Sequence, residues 1–199
     1  ISPDFTPVDF NPFEDFPKFF GIAYTAPQQE IFSNIIIGGH EANCSYNESV
    51  SLILSGFFNL THFKTAVQQL IARHEALRSR FSPDGLSVSI LSELIIDIPL
   101  IDLSTLNSDA QQAQLNRLIH DEVNKEFDIY NGPLIRVSVV RLSENKHQVI
   151  LTLHHIIADG WSIGICMIDL SRFYSALCTG TKHGLPPADS WSTFTKAET

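Results

Sequence analysis

The sequence predicts an α+β domain in which helices cover a mixed or antiparallel sheet. One observation is a nearly continuous apolar run at 149–153, typical of a strand buried on both faces, followed by a helical apolar pattern at 163–177. Another is a strongly periodic helix at 61–80. A third is a strand at 134–142 that a short turn joins to the strand at 147–155. We therefore expect these two strands to pair antiparallel.

Composition limits the kinds of protein that this chain can be. With 199 residues, 44% of them hydrophobic, it can bury a core as one domain. A formal net charge of -9 argues against a nucleic-acid partner. The chain has no charged-then-apolar leader and no apolar run of spanning length, so we expect a cytoplasmic protein without membrane contact. Its cysteines (Cys44, Cys166 and Cys178) are odd in number and lack metal-ligand spacing, which suggests a reducing compartment and no metal site.

Residues 1–21 are predicted to be an N-terminal linker that precedes the domain. Prolines disfavour helix and central strand, and they recur here among acidic residues and phenylalanines. The segment has too many aromatic side chains for a freely solvated tail, so we expect it to lie against a protein surface. The residues concerned are Pro3, Pro7, Pro12, Pro17, Phe5, Phe10, Phe13, Phe16, Phe19 and Phe20.

The first elements of the domain begin after this linker. Pro27 suits a first helical turn that starts after Thr25 or Ala26. An alternating strand then runs from Val50 to Gly56.

The helix predicted at 61–80 has one apolar stripe and two arginines on the edges of that stripe, Arg73 and Arg78. Such arginines must find partners or extend to solvent. They could equally meet carbonyl groups at the C-terminus of the helix, where cations are favoured. The stripe consists of Phe63, Ala66, Val67, Leu70, Ile71, His74, Leu77 and Phe81.

The middle of the chain supplies a turn at 82–85, a half-buried strand at 86–90 and a more polar helix at about 108–127. That helix is expected to bury Leu115, Leu118, Ile119 and Val123.

The strand at 147–155 ends in two histidines. Because successive strand side chains point to opposite faces, His155 should share a face with Leu151 and Leu153, while His154 points the other way. Ser162 is a candidate cap for the next helix and Gly180 a plausible end. A histidine held at a strand end can move protons near neutral pH.

The pattern His154-His155-x-x-x-Asp159-Gly160 resembles the signature of the chloramphenicol acetyltransferase-like acyltransferases. With its flanks, the chain looks most like a condensation domain of a non-ribosomal peptide synthetase. Residues 73–81 resemble the family segment Arg-His-Glu-x-Leu-Arg-x-x-Phe, and residues 127–136 resemble Phe-Asp-Leu-x-x-x-Pro-Leu-x-Arg. Residues 24–31 are similar to the family's opening Ser/Thr-x-x-Gln segment.

The resemblance implies a single chloramphenicol acetyltransferase-like lobe at residues 22–195, because a complete condensation domain has two lobes around a tunnel. The implied activity is amide-bond formation between an acyl or peptidyl donor and an aminoacyl acceptor. The segment before the strand at 50–56 looks like condensation domains that follow a polyketide module, so the pathway could be a hybrid one. Both substrates would be carried on phosphopantetheine by upstream and downstream carrier domains, with no cofactor bound directly. The second lobe would be a further partner.

The resemblance also implies roles for individual residues. His155 would accept a proton from the acceptor amine, or would position that amine and stabilise charge. His154 is expected to be structural. We expect Asp159 to hold the loop through a buried ion pair, with Arg73 as first choice and Arg78 as second. Gly160 would let another backbone approach closely.

Other classes of function fit less well. The two histidines point to opposite faces, so they cannot easily share a metal ion. No nucleophile elbow of a hydrolase is present. A coenzyme A-dependent acyltransferase of the same superfamily remains an alternative. The other is a non-catalytic half-domain that binds a carrier or acts as a scaffold.

Overall fold

The computed structural model describes residues 22–190, so the predicted linker at 1–21 and the end of the predicted lobe at 191–195 lie outside the described residues. Within the described part, two small sheets are combined with four α-helices. The strands are β1 (Ile22–Ala23), β2 (Asn47–Ser55), β3 (Ser79–Phe81), β4 (Ser87–Ile90), β5 (Leu100–Asp102), β6 (Ile135–Ser143) and β7 (Lys146–His154). The helices are α1 (Ala26–Ser45), α2 (Leu60–Arg73), α3 (Ser108–Val123) and α4 (Gly160–Thr179).

The larger sheet has the strand order β2-β7-β6-β5. β7 pairs antiparallel with both of its neighbours, β2 and β6, whereas β5 runs parallel to β6. The sheet is therefore mixed, as predicted, and the expected antiparallel pairing of the last two strands is confirmed. β7 is the strand that ends in the two histidines.

Helices cover both faces of this sheet. On one face, Val149, Leu151 and Leu153 pack in a core with buried residues of α2 and α4. On the other face, Ile150 packs with residues of β6 and with Leu115 of α3. This two-sided burial explains why the sequence of β7 is almost continuously apolar.

The smaller sheet has the order β1-β4-β3 and is antiparallel. Its core includes an aromatic cluster, in which the ring of Tyr24 contacts those of Phe32 and Phe81 edge-on, with centroids 5.4 and 5.1 Å apart. Tyr24 precedes Thr25, the N-cap residue after which α1 begins. The start expected from Pro27 is thus confirmed, and the backbone N–H of Thr25 donates to the Gln28 side chain.

Two predicted helices extend too far. α2 ends at Arg73 rather than Arg80, because His74 has an extended backbone and residues 75–78 form a 3-10 turn before β3. Leu77 and Phe81 nevertheless remain buried, in that turn and in β3. α3 ends at Val123 rather than at residue 127. Residues beyond the end of a helix can still be buried against the core and so continue its apolar stripe. Apolar periodicity therefore overestimates the length of the helix.

Candidate active site at the end of the central strand

The end of β7 is held from both sides by main-chain hydrogen bonds. The N–H of His154 donates to Leu134 O at 3.1 Å, and the N–H of His155 donates to Tyr46 O at 2.8 Å. The N–H of Ile157 then closes a turn on His154 O at 3.0 Å. The two histidines therefore project from a fixed point between β2 and the segment that leads into β6.

His154 is completely buried. Its ring packs against the rings of Tyr46 and Phe127, and its Nδ1 accepts a hydrogen bond from the N–H of Ile156 at 3.2 Å. Burial lowers the pKa of His154 to about 4, although the backbone of Asn43 partly opposes this shift. The side chain is thus neutral at pH 7, which supports the structural role predicted for it.

His155 lies on the opposite face, as the strand alternation predicts. Glu48, which is opposite Leu153 in the β2–β7 register, brings its Oε1 to 3.0 Å from His155 Nδ1. The imidazole also stacks on the ring of Tyr46, with an interplanar angle of 4°. The side chain is 37% exposed, yet Nδ1 is shielded from solvent. The exposed edge of the ring therefore carries Nε2, a nitrogen that can accept a proton.

The predicted ion pair of Asp159 with Arg73 or Arg78 is wrong. Asp159 is exposed and caps α4, because its Oδ1 accepts from the N–H of Ser162 at 2.8 Å and from the Ser162 hydroxyl at 2.6 Å. These two hydrogen bonds lower the pKa of the Asp159 carboxyl. The predicted cap, Ser162, is instead a donor to the true cap.

Arg73 forms its ion pair with a different carboxylate, that of Asp169 on α4. Arg73 Nε and His74 Nε2 each lie 2.8 Å from Asp169 Oδ2, and Arg73 also donates to Pro186 O at 2.7 Å. Asp169 is 5% exposed, so this is a buried charge cluster. The signal that could have found it is an aspartate within the buried stripe of α4, between Cys166 and Phe173.

Arg78 donates to main-chain carbonyls, including those of Ile71 and Leu91. The alternative prediction, that this arginine meets carbonyl groups at the C-terminus of the helix, therefore fits Arg78. Gly160 is the first residue of α4, and a Cβ added there would meet nothing within 4 Å. The close backbone approach predicted at Gly160 does not occur among residues 22–190.

A cavity of about 570 Å³ lies beside α4 and the charge cluster. Its lining includes Arg73, Asp169, Ile157, Ile165 and Pro186, but not His155. The exposed edge of His155 instead faces outward from the described part of the chain. Within residues 22–190, no group of three or more His, Cys, Asp or Glu side chains is arranged to bind a metal ion. None of the described helices has the length and hydropathy that a membrane span requires.

The sequence is similar to several peptide synthetases. It is 36% identical to chondramide synthase cmdD of Chondromyces crocatus over 137 residues, which are 68% of this chain and 4% of that protein. It is 33% identical to malpinin synthetase of Mortierella alpina over 80% of this chain and 2% of that protein. It is also 36% identical to phosphinothricin tripeptide synthetase PhsC of Streptomyces viridochromogenes, over 71% of this chain and 13% of that protein. The chain thus spans only a small part of each relative.

Solved structures share the fold. The starter condensation domain of rhizomide synthetase RzmA superposes with a TM-score of 0.80 and 23% identity, over 89% of this chain and 42% of that one. The X-domain in a complex with OxyB from teicoplanin biosynthesis gives 0.78 and 22%, over 92% and 38%. The family model of the condensation domain matches residues 36–199. The chain therefore belongs to the condensation-domain family.

Proposed function

We propose that this chain is the N-terminal lobe of a condensation domain that forms an amide bond during non-ribosomal peptide synthesis. Its substrates would be an acyl or peptidyl donor and an aminoacyl acceptor, each carried on the phosphopantetheine arm of a carrier domain. The observation that carries the proposal is the placement of His155, fixed at the end of a central strand with Nε2 on its exposed edge.

The chemistry requires one proton transfer that His155 can serve. The acceptor amine adds to the donor thioester carbonyl, which forms a C–N bond and a tetrahedral oxyanion. Collapse of this intermediate breaks the C–S bond and releases the donor arm as a thiolate, which takes up the proton that the amine nitrogen has lost. The nitrogen must lose a proton along the way, and an unprotonated Nε2 can accept it. Alternatively, the same imidazole positions the amine by a hydrogen bond and stabilises developing charge.

Turnover also needs a surface opposite His155, which we assign to a second lobe in the same or another polypeptide. The exposed edge of His155 does not line the neighbouring cavity. Two carrier arms would therefore not be held against it by residues 22–190. Orientation of two substrates is worth up to about 7–11 kcal/mol of barrier reduction. We accordingly expect the isolated chain to fold but not to catalyse.

The test is a single-turnover assay with two loaded carrier domains, read by mass spectrometry. It should use the native polypeptide, including any coding sequence downstream of Thr199, and compare His155→Ala with His120→Ala. His120 is an exposed histidine in the last turn of α3 and serves as the matched control. We expect product with the control and none with His155→Ala. Near-normal product from His155→Ala would remove this residue from the mechanism.

Two other functions can be separated by the same assay. A coenzyme A-dependent acyltransferase would use an acyl-coenzyme A donor in place of the loaded donor carrier. A non-catalytic binding module would retain a carrier or another protein without forming product. One observation favours the non-catalytic binding module: the fold is similar to that of an X-domain whose structure was solved in a complex with another protein.

A further inference from the structure

Glu48 of β2 is the acidic side chain that contacts His155 in the described part of the chain. Its Oε1 is 3.0 Å from His155 Nδ1, and the two side chains are about equally exposed, 34% for Glu48 and 37% for His155. The contact is close but not aligned as a hydrogen bond, so Nδ1 is shielded from solvent and has no aligned partner. A shielded polar nitrogen strongly favours such a partner.

The other polar groups around His155 are already engaged or face elsewhere. The Oδ1 of Asp159 is occupied by the main-chain N–H and the hydroxyl of Ser162. His154 lies on the opposite face and is neutral. Tyr46 presents its ring face to the imidazole, while its hydroxyl accepts a hydrogen bond from Asn34. Glu48 is therefore the acceptor within reach of Nδ1.

We propose that Glu48 is a positioning residue that holds His155 in one tautomer. The carboxylate accepts a hydrogen bond from Nδ1–H, so the proton stays on Nδ1 and Nε2 remains unprotonated on the exposed edge. This inference rests on the proposed function, because it assigns to Nε2 the task of receiving the amine proton. Tyr46 contributes to the same arrangement because its ring stacks on the imidazole and its main-chain carbonyl accepts a hydrogen bond from the main-chain N–H of His155 at 2.8 Å.

The arrangement has a chemical consequence for the transfer step. When Nε2 takes the proton from the amine nitrogen, both imidazole nitrogens carry protons and the ring becomes a cation. The negative charge of Glu48 stabilises that cation at the side away from the substrates. A ring with its proton on Nε2 could donate a hydrogen bond but could not accept the proton. Tautomer selection therefore decides whether His155 can act as a base at all.

The first experiment reads the tautomer directly and needs no catalysis. The imidazole ¹⁵N shifts of His155 are measured by NMR in the 199-residue chain, at a pH where the ring is neutral. We compare the wild-type protein with Glu48→Ala, Glu48→Gln and a matched control, Glu144→Ala. Glu144 is an exposed glutamate in the β6–β7 turn, at the opposite end of β7.

We expect the Nδ1–H form in the wild type and the control, and loss of that preference in Glu48→Ala. Glu48→Gln should retain most of it, because the amide oxygen still accepts. An unchanged His155 signature in Glu48→Ala would overturn the proposal. An Nε2–H form in the wild type would overturn it equally. Backbone amide spectra confirm that each variant is folded.

The second experiment separates this proposal from the proposed function. In the carrier-dependent assay with the native polypeptide, Glu48→Ala should lower kcat by about 100-fold, the lower end of what a positioned general base contributes, with little change in KM. Glu48→Gln should recover part of the loss. If the wild-type polypeptide forms no amide product from two loaded carriers, the proposed function fails. If His155→Ala retains activity, the role of His155 fails. If His155→Ala is inactive while Glu48→Ala is fully active, only the role of Glu48 fails.

Discussion

The buried cluster of Arg73, His74 and Asp169 predicts a specific pattern of stability loss. Arg73→Ala removes one of the two side chains whose nitrogens lie 2.8 Å from Asp169 Oδ2. Asp169→Ala removes the carboxylate and leaves Arg73 and His74 without it. The side chains of Asp169, Arg73 and His74 are 7%, 16% and 23% exposed, so solvent replaces the lost partner poorly.

The magnitudes follow from this geometry. Breaking a buried ion pair by removing one partner costs about 3–5 kcal/mol. Because His74 still contacts Asp169 in Arg73→Ala, we expect that variant to lie near the lower end, about 3 kcal/mol. Asp169→Ala removes the carboxylate that both Arg73 and His74 contact and should cost about 4 kcal/mol. For a chain of this size, about 3 kcal/mol corresponds to a fall in Tm of roughly 6–12 °C.

The assay is urea unfolding of the 199-residue chain, followed by circular dichroism, for both single variants and the double variant. If the two residues are partners, the double variant should lose less than the sum of the singles, by about 1–3 kcal/mol. The matched control cycle combines Arg73→Ala with Asp159→Ala, whose carboxylate is engaged by Ser162. That cycle should be additive within about 0.5 kcal/mol. Additivity at 73 and 169, or strong coupling at 73 and 159, would refute the reasoning.

Three further predictions concern the end of β7. Because burial holds the pKa of His154 near 4, below the unfolded value of about 6.5, unfolding takes up a proton between these values. The free energy of unfolding should keep the full contribution of neutral His154 above about pH 6.5 and fall by about 3 kcal/mol as the pH drops towards 4. In urea titrations at several pH values, His154→Leu should flatten this pH dependence. An unchanged pH dependence in that variant would contradict the prediction. Asp159→Ala should cost about 1 kcal/mol through loss of the helix cap, whereas Asp159→Asn should cost much less, and equal losses would exclude capping. His155→Ala should change unfolding free energy by no more than about 0.5 kcal/mol, because the side chain is partly exposed, and a larger loss would mean that it is structural.

Features that depend on one element and its neighbours could be predicted from the sequence. The alternation of β7 predicted that the two histidines point to opposite faces, because side-chain direction within a strand is a local property. The hairpin of β6 and β7 was predictable for the same reason, since the two strands adjoin in the sequence. The stripes of α2 and α4 likewise report the face that each helix buries.

Features that depend on contacts between distant elements could not be predicted from the sequence. Asp159 is part of the motif and Asp169 follows it, and which of them meets Arg73 depends on how α4 packs against α2. The structure resolves the choice through helix geometry, since Asp159 starts α4 and Asp169 lies on its buried face. A stronger weight on local capping would have helped, because aspartate is among the best N-cap residues. Glu48 was missed because its contact with His155 arises from the register of β2 against β7.

The position of β7 between two antiparallel neighbours also has a consequence for how the site behaves over time. Amides in a strand bonded on both sides exchange with solvent only when a large part of the molecule opens. The main-chain N–H of His154 is bonded to Leu134, before β6, and that of His155 is bonded to Tyr46, before β2. Separation of β7 from either neighbour at this end therefore breaks one of these two hydrogen bonds. Helix α4, by contrast, starts from an exposed cap and can fray without disturbing either bond. The main chain that carries the imidazole of His155 is thus tied to two neighbouring segments, whereas the first turn of α4 is held by its cap.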